Sequence, residues 1–252
     1  MVSRVWQTTC TVVRAPGEEQ AEAFVIDSPV YPDELEVLPS LLEQAGFSFK
    51  GLLVTHGDWD HLLGRLAFPD AAIGCSEATA DRLAAEPGAA QRELRAFDES
   101  HYVRRARPLA LGEVQSLPAP GHCALGKVEL ELHPTPGHTA DGLAVWVPWA
   151  DVLVCGDYLS AAELPTVSAH GSVSAYTGTL ERLEPLVRRS DHVVPGHGAP
   201  LARDAALAVM EEDLAYLEAL STDPEATRLP EGRRDAHQRR LHTDNVARLS
   251  GR

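Results

Sequence analysis

The chain reads as an α/β protein. Short apolar runs alternate with segments of helical period, and this pattern of strand then helix occurs twice, before and after about residue 120. A further observation concerns where the chemistry sits. Several apolar runs stop abruptly at side chains able to bind a metal. The densest case is Leu52-Leu53-Val54-Thr55-His56-Gly57-Asp58-Trp59-Asp60-His61, with four such side chains in its last six residues.

The elements can be taken in order. Residues 23–27 are a buried strand ending in Asp27. Residues 32–45 place Leu35, Leu38, Leu41, Leu42 and Ala45 at helical spacing, and Gly46 stops the helix. Residues 51–55 form the strand that carries the cluster. Residues 60–67 read as a short helix with Leu62, Leu63 and Leu66 on one side, followed by a strand at 71–75 and a helix from a Ser76 cap to residue 85. The stretch 86–107 is charged with little period, an insertion or lid that shapes a pocket. Residues 127–133 alternate Val128, Leu130 and Leu132 with Lys127, Glu129 and Glu131, a half-buried strand. Strands at 142–147 and 151–155 flank the turn Pro148-Trp149-Ala150. A helix (175–188), a strand (192–195) and a helix with Leu207, Met210, Leu214 and Leu217 on one stripe (203–220) follow. Residues 1–220 are expected as one domain of two packed halves. Residues 221–252 form a linker and a basic helix packed on that domain.

Composition narrows the function. Of the 252 residues, 44% are hydrophobic and 23% charged, enough apolar content for a sizeable core. The formal net charge of −15 argues against nucleic acid or an anionic membrane as partner, since both require a basic surface. A small-molecule substrate is expected. No apolar run approaches the length of a membrane span. Residues 1–14 include Arg4, Gln7 and Arg14 and lack the apolar core of a secretion signal. Cys10, Cys75, Cys123 and Cys155 are scattered, with no CxxC pair. A cytoplasmic protein with reduced thiols is the expectation. Oligomeric state stays open, a dimer included.

Three more strand ends repeat the form of the first. Thr135-Pro136-Gly137-His138-Thr139 follows one strand, Val154-Cys155-Gly156-Asp157 ends another, and Val193-Val194-Pro195-Gly196-His197-Gly198 ends the last. Glycine and proline around each residue favour sharp turns and close backbone approach. His56, Asp58, Asp60, His61, His138, Asp157 and His197 together can hold two cations, with one carboxylate bridging them.

In this order of motifs the chain resembles the metallo-β-lactamase-fold hydrolases, over nearly its whole length. The resemblance implies a four-layered αβ/βα sandwich with the metals at one edge between two sheets. It implies that His56, Asp58 and His138 bind one metal, that Asp60, His61 and His197 bind the other, and that Asp157 bridges. Glyoxalase-II-like proteins are the general type suggested by length and motif order. The family usually has His where Asp58 stands in its HxHxDH motif. The implied activity is a metal-dependent hydrolase of a small ester, thioester or lactone, with a metal-bridged hydroxide as nucleophile and Asp60 orienting or deprotonating it. The implied cofactors are two divalent ions, zinc first by availability, with iron or manganese as alternatives.

Asp58 carries its own expectation. With Asp58, Asp60 and Asp157 ionised, the ligands bring −3 to two divalent ions, where the usual His would leave −2. The extra charge should weaken the pull on the bridging water and favour harder cations. Two alternatives to a hydrolase follow: a di-iron redox protein of the flavodiiron type, which carries a carboxylate here, and a non-catalytic metal-binding homologue.

Other residues are weaker candidates. Tyr158 and Trp59 can wall a substrate pocket, and both types are also ordinary core. His242, or an arginine of the basic tail, can reach the cleft and bind an anionic substrate; otherwise the tail docks through Leu241, Val246 and Leu249. His122 mimics the true motif in a weaker context, and His133 is a candidate to support a ligand from behind. His101, His170, His192 and His237 stand alone and read as surface or hydrogen-bonded residues. Cys155 reads as a small core residue, not a nucleophile.

Overall fold

The computed structural model describes residues 1–17 and 21–250. Two sheets stack face to face. The first holds β1 (Thr11–Arg14), β2 (Glu22–Ile26), β3 (Ser48–Leu53), β4 (Ile73–Ser76) and β5 (Val114–Leu117), in that spatial order. Strands β2 to β5 run parallel and β1 is antiparallel at the edge. The second sheet has the order β11-β10-β9-β8-β7-β6, from β6 (Gly121–Leu125), β7 (Val128–Pro134), β8 (Leu143–Val147), β9 (Val152–Val154), β10 (His192–Val194) and β11 (Leu201–Ala202). Only β9 and β10 are parallel in it.

Period-two alternation explains the four layers. Ile26, Leu53, Val145, Val154 and Val194 face the space between the sheets, in one apolar cluster with Leu130 and Leu132. Their neighbours Val25 and Leu52 face outward against Leu35, Leu38 and Leu42 of α1 (Pro32–Gln44). On the other side Leu153 and Val193 face outward against α5 (Val173–Arg189) and α6 (Arg203–Thr222), through Leu180, Leu183, Val187, Met210 and Leu217. Strands covered on both faces need apolar side chains on both, hence the unbroken Leu-Ala-Val-Trp-Val of β8. The result is the expected αβ/βα sandwich.

Several expected elements shift. The segment at 60–67 splits into a 3-10 turn, Trp59–His61, and the short α2, Gly64–Ala67. Ser76 caps α3 (Glu77–Ala85), accepting from the Thr79 amide at 3.0 Å. The charged stretch after it is not an open lid. It folds as α4 (Ala89–His101), whose Ala90, Leu94 and Phe97 are buried at spacings of four and three. This stripe is only three residues wide, so charge dominates the composition and hides the period. Phe97 packs on Trp59 and Trp6, with ring centroids 4.9 and 5.5 Å away.

The last helix, α7 (Ala236–Leu249), starts at an Asp235–Gln238 capping box. Of the expected apolar anchors, Val246 packs against Leu164, Tyr216 and Leu220 and Leu241 is half-buried, while Leu249 is exposed; the buried residues of the helix are the polar Gln238 and Asn245. Asn245 accepts from the Val167 amide (3.0 Å) and donates to the Pro165 carbonyl (2.8 Å), and Gln238 donates to the Ala162 carbonyl (3.0 Å). Arg233, just before the helix, is buried and pairs with Asp213 at 2.6 Å. Polar groups taken out of water must be matched one for one, so this helix fixes the backbone of loop 159–170 in a specific place. No helix among the described residues is long and apolar enough to cross a membrane.

Asn245→Ala leaves the Val167 amide and the Pro165 carbonyl buried without partners. A loss of about 1–3 kcal/mol in urea unfolding is expected, with faster proteolysis of the segment after residue 221. An unchanged midpoint would show that α7 is not docked through this residue.

Candidate metal centre

Five strand ends meet at one edge of the sandwich. Beyond β2 lies Asp27, beyond β3 His56 to His61, beyond β7 His138, beyond β9 Asp157 and beyond β10 His197. The seven residues that the motifs single out are brought together. His56, Asp58 and His138 place one ligand atom each within 4.8 Å of one another, as do Asp60, His61 and His197. Asp157 stands between the two sets. Its Oδ2 lies 3.7, 3.3 and 3.4 Å from Nε2 of His56, His138 and His197, and its Oδ1 lies 3.3 Å from Nε2 of His61.

The imidazoles are held from behind. His138 Nδ1 donates to the Thr166 carbonyl at 2.7 Å and His197 Nδ1 to the Trp6 carbonyl at 3.1 Å. His61 Nδ1 lies 3.0 Å from Asp27 Oδ2. Asp27 itself accepts from the Thr55 amide (2.8 Å) and hydroxyl (2.9 Å). The hydrogen bonds to Thr166 and Trp6 commit Nδ1 of His138 and His197 and leave Nε2 turned inward, the usual way a protein fixes the tautomer of a metal-binding histidine, while His61 Nδ1 lies beside Asp27 without a hydrogen bond. Backbone geometry serves the same end. Trp6 and Gln7 both hold left-handed φ angles, 48° and 55°, where the Trp6 carbonyl meets His197. Gly196 has no space for a Cβ, which would collide with Asp157 Oδ1 and the Gly156 carbonyl carbon.

The donor set fits a cation. His56 Nε2, His61 Nε2 and Asp157 Oδ1 are buried with no hydrogen-bond partner, an arrangement that costs folding energy unless positive charge joins it. Titration tells the same story. Burial opposes charge on His138 and His197, but Asp157 first, then Asp58 beside His138 and Glu163 beside His197, lift them to about 9 and about 10. Burial likewise works against the Asp157 carboxylate, and the surrounding imidazoles overcome it and hold it well below its usual range. Without a metal, protons take the place of the missing positive charge.

The sequence model of the metallo-beta-lactamase superfamily matches residues 3–197, most of the chain and all seven of these residues. The chain belongs to the metallo-beta-lactamase superfamily. A type 2 metallo-beta-lactamase of Bacillus sp. (strain 170) is 25% identical over 167 residues, 59% of this chain and 63% of that protein. The chain thus matches less than two thirds of that relative's length. Among solved structures, the BLEG-1 B3 metallo-beta-lactamase superposes with a TM-score of 0.62 at 19% identity, covering 82% of this chain and 95% of that one. TTHA1623 in a di-iron-bound form gives 0.58 at 21% identity, covering 83% and 96%. At these identities the likeness is one of fold. The superfamily and the two ligand clusters support a metal-dependent hydrolase at that coarse level.

Within this superfamily frame, two expected substrate residues move away from the pocket. Tyr158 is buried, and its hydroxyl donates to the Thr135 carbonyl (2.9 Å) and accepts from the His138 amide (3.0 Å). It positions a ligand loop and walls no pocket, because a buried phenol needs both partners. Its neighbour Tyr176 donates to the Asp157 carbonyl at 2.8 Å. His242 is held by the Tyr216 hydroxyl at 3.0 Å and does not reach the cleft. Two other tail residues reach it, Leu241 and His237, the latter expected to be a lone surface or hydrogen-bonded histidine: it pairs with Glu163 at 2.7 Å and stacks on Trp6. No motif marks it, since its partner lies 74 positions away. His133 pairs with Glu131 at 3.3 Å and His122 is exposed on β6, so neither supports the site. Trp59 does line the pocket. Cys155 is buried, which pushes its thiol up, as a core residue requires.

The raised imidazoles set a pH signature. A histidine whose folded pKa exceeds its ordinary 6.5 stabilises the fold fully below that value and ceases to as pH rises through its folded pKa. Chelated, metal-free protein should therefore lose thermal stability between pH 6.5 and 10, through His138 and His197. Added divalent metal should restore most at the alkaline end, where no protons compete for Nε2. A metal-free midpoint that stays flat over this range would contradict the reading.

Proposed function

We propose that this protein hydrolyses a small ester, thioester or lactone with the help of two divalent cations. The observation that carries the proposal is the pair of ligand triads facing each other across Asp157. They stand at the floor of a cavity of about 400 Å³. Bound cations would supply a water of lowered pKa and a Lewis-acid hold on the substrate's carbonyl oxygen. The chain's own residues do the rest. Asp60 is buried, and burial raises its carboxyl, which suits a group that takes up a proton. Its Oδ2 lies 3.6 Å from His197 Nε2 and 3.7 Å from His61 Nε2, inside its own triad and beside the cavity, where it would orient a water held by that triad. Trp6, Trp59 and Leu241 give the cavity an apolar wall that seats an acyl chain and displaces water.

The rim favours substrates without negative charge. Glu86, Glu93 and Glu163 line it. The basic groups there are engaged: Arg82 with Asp58 and Asp141, His170 with Glu86 at 3.3 Å, and His237 with Glu163. Burial, and then Asp58, raise the Glu93 carboxyl. Among the described residues, no lysine lines the cavity to receive a carboxylate. This weighs against lactam antibiotics that carry one. Zinc is the first expectation, and iron the alternative because TTHA1623 was solved with di-iron.

A panel of thioesters, esters, lactones and phosphodiesters, run on protein loaded with zinc, iron or manganese, tests the proposal. Turnover of an acyl substrate that chelation abolishes is expected. Metal bound with no turnover across the panel would favour the non-catalytic alternative. Asp60→Asn should lower kcat on the order of 10²–10⁴-fold in a folded protein. Between matched substrates, one bearing a carboxylate beside the scissile group should lose about tenfold or more in kcat/KM, a cost of ~1.4 kcal/mol from the acidic rim.

A further inference from the structure

Asp58 does not stand alone. The guanidinium of Arg82, on α3, reaches Asp58 Oδ1 through Nη2 at 2.7 Å and Asp141 Oδ1 through Nη1 at 2.9 Å. Asp141 is buried, and its Oδ2 accepts the Gly57 amide at 2.8 Å. One fork thus ties α3, the turn between His56 and Asp58, and the loop after His138. Gly57 keeps the approach open: a Cβ there would lie 3.1 Å from Asp141 Oδ2 and 3.4 Å from Arg82 Cδ. The other carboxylate oxygen, Asp58 Oδ2, turns inward, 3.3 Å from His138 Nε2 and 3.6 Å from His56 Nε2.

We propose that Arg82 and Asp58 act as one unit that replaces a neutral histidine ligand, presenting a single donor atom with its charge partly offset. A free carboxylate has two donor oxygens and a full negative charge. Arg82 takes one oxygen and shares its charge between Asp58 and Asp141. It thereby offsets part of the −3 from Asp58, Asp60 and Asp157, towards the −2 that a histidine at position 58 would give. The harder-cation preference expected from Asp58 alone is weakened accordingly. Arg82 is a positioning residue: an imidazole at 58 would leave the guanidinium with Asp141 but without its Asp58 partner, and would set its positive charge beside a cation with no carboxylate between them. The unit deepens the two-cation reading and rests on it.

The experiment is a double-mutant cycle on the full chain with zinc as probe. Wild type, Asp58→His, Arg82→Gln and the double variant are compared by zinc per chain after dialysis and by competition with a chromophoric chelator. Wild type should hold two zinc ions. Asp58→His should lose one, or bind it at least about tenfold more weakly, although it restores the common ligand. Adding Arg82→Gln to Asp58→His should return zinc binding to within about threefold of wild type. In mixed zinc and manganese, Arg82→Gln alone should shift bound metal towards manganese, while Arg82→Lys, which keeps the charge, should not. Metal-free thermal unfolding separates any loss of folding from loss of metal. Full zinc binding by Asp58→His with Arg82 in place, or no recovery in the double variant, would overturn the unit. Fewer than two zinc ions in wild type would instead overturn the two-cation reading beneath it.

Discussion

Everything at the strand ends answers to one electrostatic demand. The Asp157 carboxylate stands among four imidazoles, with Asp58, Asp60 and Glu163 close by. Isolated charges in a protein interior cost several kcal/mol each unless they are paired. Positive charge among these ligand atoms, as protons on the imidazoles or as a divalent cation, would meet that demand. The sandwich is the scaffold that makes this convergence feasible, since strands of both sheets end at the same edge.

The chain outside the motifs keeps that convergence rigid. The amino-terminal segment supplies the Trp6 carbonyl to His197, and its strained turn brings the Trp6 ring into the cavity wall. The carboxy-terminal helix fixes loop 159–170, whose Thr166 carbonyl orients His138 and whose Glu163 meets His237. The rings of Tyr158 and Tyr176 pack at a tilt with centroids 4.3 Å apart, and the two hydroxyls hold the loops of His138 and Asp157 by their backbones. The site is therefore supported from both ends of the chain, and the last helix belongs to the architecture of the metal centre.

How much of this was legible in the sequence follows from what each feature depends on. The seven motif residues were visible because each lies in a local pattern, an apolar run broken by glycine or proline and a ligand. The strands of the sandwich were visible where both faces are apolar, as in β8, and were missed where they are short or edge-placed, as in β1, β5, β6 and β11. The narrow stripe of α4 was lost among its charges. Arg82, Asp141, Glu163 and His237 were missed for a different reason. Each matters through a partner 24 to 84 positions away, so no local window holds the signal.

The sequence by itself determined the α/β class and which residue types gather at the edge, because apolar periodicity and ligand spacing are local properties of a chain, and its motifs carried the resemblance that implied the family and the four layers. Only the tertiary structure decided the meaning of Asp58. Read along the chain it is an extra negative charge that weakens the centre. In the fold a guanidinium from another helix takes one of its oxygens, and the same aspartate becomes half of an ion pair. Net charge at a site is a sum over everything within a few ångström, and only folding brings Arg82 within that distance.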